Sequence, residues 1–452
     1  MTVVEELSRS LVQVKTIPAE VSTKAIEAIE DLAVAAIAGI ETPASEAAAS
    51  AAKKIWGTGP AVCWFDGTHL TAPGAAYVNS TLAAVMDLDD GHRAAVGHPG
   101  AGVIPAVMAI GDTRPVSNDR MIRAIVIGYE VAIRVAASRH LSQLTTMVSG
   151  PWIGQGVAAA AAYLRGLPAD RMAQAIAIAG STAPNLLAVG YSKVMGNHLK
   201  EGIPWATATG LSAVELAASG FTGPIDIFDN PELFRQDALL NGLGENWTMR
   251  EIYFKPYSCC RWGHAAIDAA LQLQAEHSLT PSDIKHITVD TFGWALRLNN
   301  EKHPRTLESA QYSVPFCVAL ALTAGADAFL PMSEKALSDA AATELSEKVN
   351  LVKDERFDAM FPQSVPARVS IETATRKLSR EVLAPLGEPT NPMTSQQMRS
   401  KFRTVAQKKL MEKDVARMED ALDALRSRRL STFRDQLNSP ISVYRAGKRA
   451  AG

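Results

Sequence analysis

The segment NSTLAAVMDLDDGHRAAVGHPG, residues 79–100, organises the reading of this chain. It opens as a helix, with Asn79 or Ser80 placed to cap it, because either side chain can accept a hydrogen bond from first-turn amides. Leu82, Val85 and Met86 give an apolar stripe at helical spacing. Three carboxylates follow, Asp87, Asp89 and Asp90, then Gly91 and a loop with His92, Arg93 and His98. Helical spacing puts Asp87 and Asp90 on one face and turns Asp89 elsewhere. Carboxylates at a helix C-terminus oppose its dipole, a local cost that suggests a use. Three readings fit: a solvated acidic helix end, a metal site, or a histidine oriented by aspartate for acid–base work. No second cluster of His, Asp or Glu with matching spacing completes a metal site. The D-x-D-D pattern also occurs in terpene cyclases, but a chain with only 6% aromatic residues lacks the π-surface to stabilise carbocations.

Working outward, 452 residues allow two or three domains, and 47% hydrophobic content is ordinary for a globular protein. A net charge of −2 gives no basic excess for nucleic acid. Cys63, Cys259, Cys260 and Cys317 do not form a disulfide framework, so a reducing cytoplasm is expected. No apolar run reaches bilayer length, and the N-terminus has no signal or transit pattern.

Helical periodicity covers 5–15, 20–40, 44–56, about 100–111, 117–139, 153–165, 168–183 and 203–219. Glu130 and Arg134 stand one turn apart and can pair. The character changes near 250. Residues 284–292 and 366–374 alternate as strands, with 376–383 placed to pair with the latter. Helices are expected at 264–275, 310–324 and 334–341, and over the charged stretch 394–436. The expectation is therefore a mainly α protein. A large helical domain spans 1–255 together with 391–452, and a smaller α+β domain spans 256–390. The basic end YRAGKRAAG, 444–452, reads as solvated.

Two further segments carry chemistry-bearing residues. NHLKEGIPWA, 197–206, holds His198, Lys200 and Glu201, and its plain reading is a surface charge cluster. FKPYSCCRWGH, 254–264, gathers Lys255, Tyr257, Arg261 and His264 before a helix, an anion-binding setting. Its adjacent cysteines read as small hydrophobes rather than thiol catalysts. Phosphate-binding glycine loops and the G-x-S-x-G elbow are absent.

In their order along the chain, MDLDDGHRAAVGHPGAGVIPAVMAIGD (86–112), AIVIGYEVAIRVA (124–136), the Lys200 segment running into GFTGP, KPYSCCRWGHAAIDAAL (255–271), SAQYSVPFCVALAL (309–322) and APLGEPTNPMTSQQMRSKF (384–402) resemble the MmgE/PrpD family. That family includes 2-methylcitrate dehydratase, cis-aconitate decarboxylase and iminodisuccinate epimerase. The resemblance implies a large helical domain, a smaller α+β domain, a homodimer, an active site between the domains and no required metal or organic cofactor. Residue by residue, it assigns the D-[FL]-D-D motif to Asp87–Asp90, the H-P-[SG] histidine to His98, the two active-site lysines to Lys200 and Lys255, and the histidine opening the next helix to His264.

The departures are local. The loop from Asp90 to His98 is one residue longer than in the decarboxylases, and Gly91 stands where they carry threonine. Trp152 takes the place of a histidine, Phe316 replaces a tyrosine in SVPF, and the histidine of K-x-L-H is missing. The resemblance thus implies a cofactor-independent lyase on a small carboxylic acid, removing a proton α to a carboxylate. Elimination of water is the first choice. Decarboxylation, epimerisation or a catalytically silent metabolite binder are the alternatives. His98, oriented by Asp87 or Asp90, would move the proton, and Lys200 and Lys255 would offset enolate charge. His92, Tyr257, Arg261, His264, Trp152 and Phe316 would line the substrate.

Overall fold

Small residues let the central helices approach at backbone distance. In the computed structural model, which describes residues 1–186 and 197–443, helices Asn118–Ser138 and Gly150–Arg165 meet at Gly128 and Gly156. A β-carbon on Gly156 would lie 2.4 Å from the Gly128 carbonyl oxygen, so only glycine permits this crossing. Helices Ala19–Ala38, Ala72–Ala84, Gly100–Thr113, Ala169–Ser181 and Ile203–Ala218 pack around this pair in one large core. The buried ion pair Glu130–Arg134, 2.6 Å, stands on Asn118–Ser138. The stretch expected as one helix over 394–436 is three: Ser395–Lys409, Glu412–Arg426 and Leu430–Leu437. Phe402, Val405, Leu422 and Phe433 from them enter the same large core. No helix among the described residues is long and apolar enough to cross a membrane. The basic end 444–452 lies outside the described residues.

A second core lies under a four-stranded sheet ordered Val349–Lys353, His286–Thr291, Ala367–Glu372, Lys377–Val382. The first pair is parallel and the others antiparallel. Alternation puts Ile287, Val289, Val369 and Ile371 inward against helices His264–His277 and Val314–Ala324. The parallel strand VNLVK was not expected from sequence, because only Val349 of it is buried and its pattern does not alternate. Cys259 belongs to the large core and Cys260 to the smaller, so the boundary between the cores passes between them.

The stretch 79–100 differs from its sequence reading at both ends. Its helix starts at Ala72 with Pro73 in the first turn. Asn79 and Ser80 are therefore mid-helix and buried, not caps. Asn79 instead accepts from the Trp64 amide, 2.8 Å, and donates to the Val62 carbonyl, 3.1 Å. The helix stops at Ala84, and Asp87 takes a left-handed φ of 52°. The carboxylates thus sit in a turn beyond the helix, and the expected common face of Asp87 and Asp90 does not exist. They are also not solvated: Asp87, Asp89 and Asp90 are 2%, 1% and 1% exposed.

Two devices fix this turn. First, Gly91–His92 pairs antiparallel with Ile252–Tyr253, which brings the stretch beside Lys255. A β-carbon on Gly91 would lie 2.3 Å from the Tyr253 hydroxyl oxygen and 2.4 Å from its ring carbon Cζ, so no larger side chain has room here. Second, Lys401 reaches from Ser395–Lys409 to Asp31, 2.6 Å, and to the Leu88 carbonyl, 3.2 Å, all within the core. Burial pushes the Asp31 carboxyl up to about 6, against the pull of Lys401.

Gly91→Ala is expected to cost about 1–3 kcal/mol by overpacking. A double-mutant cycle with Tyr253→Ala, read by denaturant unfolding, should recover most of that loss; purely additive penalties would refute the clash. Lys401→Met should cost about 3–5 kcal/mol near neutral pH, because it strands Asp31. Since Asp31 becomes neutral as pH falls through about 6, the deficit should shrink at lower pH. A deficit independent of pH would mean that the charge of Asp31 is not what Lys401 serves.

Candidate active site

Between Asp90 and His98 the chain folds back on itself, with the His92 amide donating to the Gly97 carbonyl at 3.0 Å. This return places the His98 ring over the turn it has just left. His98 Nδ1 lies 3.0 Å from the Asp90 carbonyl oxygen, so Nδ1–H is the donor there. Asp89 Oδ2 stands 3.3 Å from the same nitrogen. The other nitrogen, Nε2, faces two carboxylates, Asp87 Oδ1 at 3.7 Å and Glu201 Oε1 at 3.8 Å. The ring is thus oriented through Nδ1, and Nε2 is the atom free to pass a proton.

The lysines arrive from two other segments. Lys255 Nζ lies 3.1 Å from Asp87 Oδ1 and donates to the Asp87 carbonyl at 3.0 Å. Lys200 Nζ is 3.8 Å from the same carboxylate oxygen and donates to Gln311 Oε1, 3.0 Å, and the Tyr312 hydroxyl, 3.2 Å. Gln311 in turn donates to the Val85 carbonyl at 3.3 Å. Lys200 and Glu201 have φ of 42° and 60°, a left-handed pair just before helix Ile203–Ala218. Such a conformation costs on the order of 1–3 kcal/mol per residue, and it delivers adjacent side chains of opposite charge to one cluster. Glu201 is held by the amide and hydroxyl of Ser149, 2.9 and 2.8 Å, and the Ser149 hydroxyl accepts from the His98 amide at 3.1 Å.

The electrostatics follow from this geometry. Burial pushes the Asp87 carboxyl up, but Lys255, Lys200 and His98 outweigh it and hold the group well below the usual range. Burial and Lys255 pull the His98 imidazole down, yet Asp89 and Glu201 leave it above its ordinary 6.5. Burial raises the Glu201 carboxyl, with His98 opposing. Lys255 is pulled down by burial and pushed further up by Asp87 and Asp89.

The structure brings together His98, Asp87, Lys200 and Lys255 of the sequence-derived set, and leaves the others outside this cluster. The Asp90 carboxylate is used at the start of helix Gly100–Thr113. It accepts from the Gly100 amide at 3.0 Å and the Tyr129 hydroxyl at 2.6 Å, and burial pushes it up to about 7. Only its carbonyl serves His98. Tyr257 donates to Asp268 at 2.7 Å. Arg261 is committed to Glu388 at 2.7 Å and to the carbonyls of Leu386 and Pro385. It also donates to His264 Nδ1 at 3.0 Å, so that Nε2–H of His264 donates to the Cys259 carbonyl at 3.1 Å. Burial and Arg261 hold His264 neutral. Arg261 thus ties the KPYSCCRWGH segment to the 385–388 loop, and Asp268, the acceptor of Tyr257, also accepts from the Leu386 amide at 2.7 Å. His92 is buried and pulled down to about 4 by that burial, with Nδ1 accepting from the Ala94 amide at 3.2 Å. Phe316 lies in the large core. Trp152 is fully buried beside Gly97: a β-carbon there would be 2.6 Å from the indole. All four cysteines are free and buried, and burial raises the Cys259 and Cys260 thiols.

The sequence-derived set leaves out Ser149, Gln311 and Tyr312, has Glu201 only within a surface charge cluster, and has Asp89 only within the D-[FL]-D-D motif. A helix through this stretch would turn Asp89 away, and the turn that replaces it brings Asp89 to His98. The NHLKEG segment is a surface cluster only at His198, since Lys200 and Glu201 are 1% and 3% exposed.

Asp87, Asp89 and His98 each offer one atom within 4.8 Å of the others, a spacing that would suit a metal ion. Two ammonium groups already share Asp87 Oδ1, however, so a cation there would meet positive charge at short range. The cluster suits a proton and an anionic ligand better.

The MmgE/PrpD N-terminal domain model matches residues 10–243, and the MmgE/PrpD C-terminal domain model matches residues 257–426. The chain is 25% identical over 447 residues to the cis-aconitate decarboxylase-like protein oryM of Aspergillus oryzae, covering 90% of this chain and 91% of that protein. It is 26% identical over 467 residues to the cis-aconitate decarboxylase of Aspergillus terreus, covering 94% and 93%. With both domains matched in order, and with the two lysines, the D-L-D-D turn and His98 gathered in one buried cluster, the chain belongs to the MmgE/PrpD family.

Proposed function

We propose that this protein is a lyase acting on a small di- or tricarboxylic acid, with His98 as the proton-carrying group. One observation carries this reading: His98 sits between Asp89 and Glu201 with Nε2 directed into the cluster. Those carboxylates favour the imidazolium, the form that gives a proton away. Lys200 and Lys255 would bind substrate carboxylates, sharing them with Asp87, and offset the charge of an enolate.

Carboxylates that favour a proton on His98 support decarboxylation ahead of dehydration, the reverse of the order expected from sequence. In decarboxylation the bond to one carboxyl group breaks and leaves as carbon dioxide. The electron pair spreads into a neighbouring carboxylate, and His98 then protonates carbon. No base is needed first. The names of the two relatives point the same way. Dehydration is the second reading, favoured by Glu201, whose raised carboxyl beside Nε2 gives the cluster another proton carrier.

Proton NMR in heavy water with cis-aconitate, 2-methylcitrate and a panel of related acids tests the reading. Decarboxylation should release carbon dioxide and leave one deuterium on carbon, whereas dehydration releases none. His98→Asn should lower kcat/KM by about 10²–10⁴-fold, the usual share of a positioned acid or base. A variant that turns over at the wild-type rate would remove His98 from the reaction.

The pH profile gives a second check. A general acid acts while protonated, so kcat should fall as pH rises through the raised His98 value, above 6.5. Asp89→Asn and Glu201→Gln each remove a charge that retains this proton. Each should move the alkaline limb down by roughly one pH unit. A loss of rate with an unmoved limb would assign these carboxylates to the fold alone.

A further inference from the structure

Behind the strand that leads to Lys255, helices Ala19–Ala38 and Ser395–Lys409, with the 387–393 loop, line an open groove of about 470 Å³. Its floor is apolar, with Ile26, Ile252, Phe254 and Met398. Its charged lining is unbalanced. Each lining carboxylate is already matched: Glu27 by Lys24, Glu30 by Arg426, and Glu388 by Arg93 and Arg261. Arg250 pairs with Glu20. Two guanidiniums are left over. Arg428, held at φ 59° in the turn between the last two helices, has only the Ser22 hydroxyl, 2.9 Å, as a side-chain partner among the described residues. Arg399 has no side-chain partner among the described residues, and it also lines the two adjoining hollows on the same helix.

Two cations without counter-charges over an apolar floor describe a receptor for an anion with an apolar body. We propose that this groove binds a small organic anion with a doubly charged head, phosphate or dicarboxylate, on an apolar body, and that its occupancy is transmitted to the D-L-D-D turn. The head would lie between Arg399 and Arg428, and the body against Phe254 and Ile252. The route to the turn is short. The two helices that form the groove are the pair joined by Asp31 and Lys401, and Lys401 holds the Leu88 carbonyl. Ile252 in the floor pairs with His92. A ligand that draws the walls together therefore tightens two supports of the turn at once. Neither the groove nor its coupling depends on which reaction the cluster performs.

Calorimetric titration with phenyl phosphate, phenylsuccinate and pyrophosphate tests the site on the full chain. One of the two phenyl compounds should bind with one-to-one stoichiometry, and more tightly than pyrophosphate, which carries charge without an apolar body. The tighter phenyl compound identifies the head group. The Arg399→Ala/Arg428→Ala double variant alters exposed side chains, and its fold can be checked by thermal melting. It should lose at least about tenfold in affinity, the worth of one charge-assisted contact. Failure of both phenyl compounds to bind, or equal affinity in the double variant, overturns the site. Hydrogen exchange read over residues 86–92 tests the coupling. Slower exchange on saturation, absent in the double variant, supports it, and unchanged exchange refutes it.

Discussion

The carboxylate of Asp87 is the constraint on which the rest of the structure depends. An isolated carboxylate buried this deeply would be prohibitively costly, and protonation would be its ordinary escape. Here Lys255, Lys200 and His98 surround it and keep it charged. The dependence is mutual, because the two lysines are themselves 0% and 1% exposed and need the same anion. Three segments that begin far apart in sequence are thereby tied at one oxygen atom. The fold must deliver all three to that point.

Its solution is to spend the three aspartates of one turn on three different partners. Asp87 takes the lysines, Asp89 faces His98, and Asp90 holds Tyr129 and the first amide of the next helix. That division requires the chain to leave the helix before Asp87, since a helix would have stacked two of the carboxylates. Outer contacts then hold the turn. Lys401 grips the Leu88 carbonyl, the Gly91–His92 pairing grips the strand before Lys255, and Glu388 binds Arg93 from one segment and Arg261 from another. Both guanidiniums also lie near the Tyr253 ring, their carbons 4.3 and 4.8 Å from its centroid. The residues that resemble an anion-binding set in KPYSCCRWGH are thus largely spent on building the wall of the site.

How legible this was in the sequence depended on the range of the forces involved. Helices with strong apolar periodicity, such as Ala19–Ala38 and Asn118–Ser138, were readable because their burial is local and repeating. The strand pair Ala367–Glu372 and Lys377–Val382 was readable for the same reason. The start of Ala72–Ala84 was hidden because Asn79 has the chemistry of a cap but spends it on Trp64 and Val62. The identities of His98, Lys200 and Lys255 came from motif order. Their second partners, Glu201, Gln311 and Tyr312, could not be ranked, because burial of a charged side chain is decided by distant segments. The engagement of Arg261 and His264 was hidden for the converse reason: a sequence shows which groups could bind an anion, not that Arg261 is already paired with Glu388 or that His264 is held by Arg261 and the Cys259 carbonyl.

The balance of charge in the cluster has a consequence for the proposed reaction. With His98 protonated, three cations face three carboxylates, Asp87, Asp89 and Glu201. A substrate carboxylate would enter as an extra negative charge and share the lysines with Asp87. That addition raises the proton affinity of His98 further, so binding itself would favour the acid form. Loss of carbon dioxide leaves its negative charge on the enolate, and proton delivery to carbon then cancels that charge against the imidazolium, so the net charge of the pocket stays the same throughout. A cluster built this way holds its proton most firmly while substrate is bound, and its balanced charge limits the penalty for keeping so many ionised groups away from water.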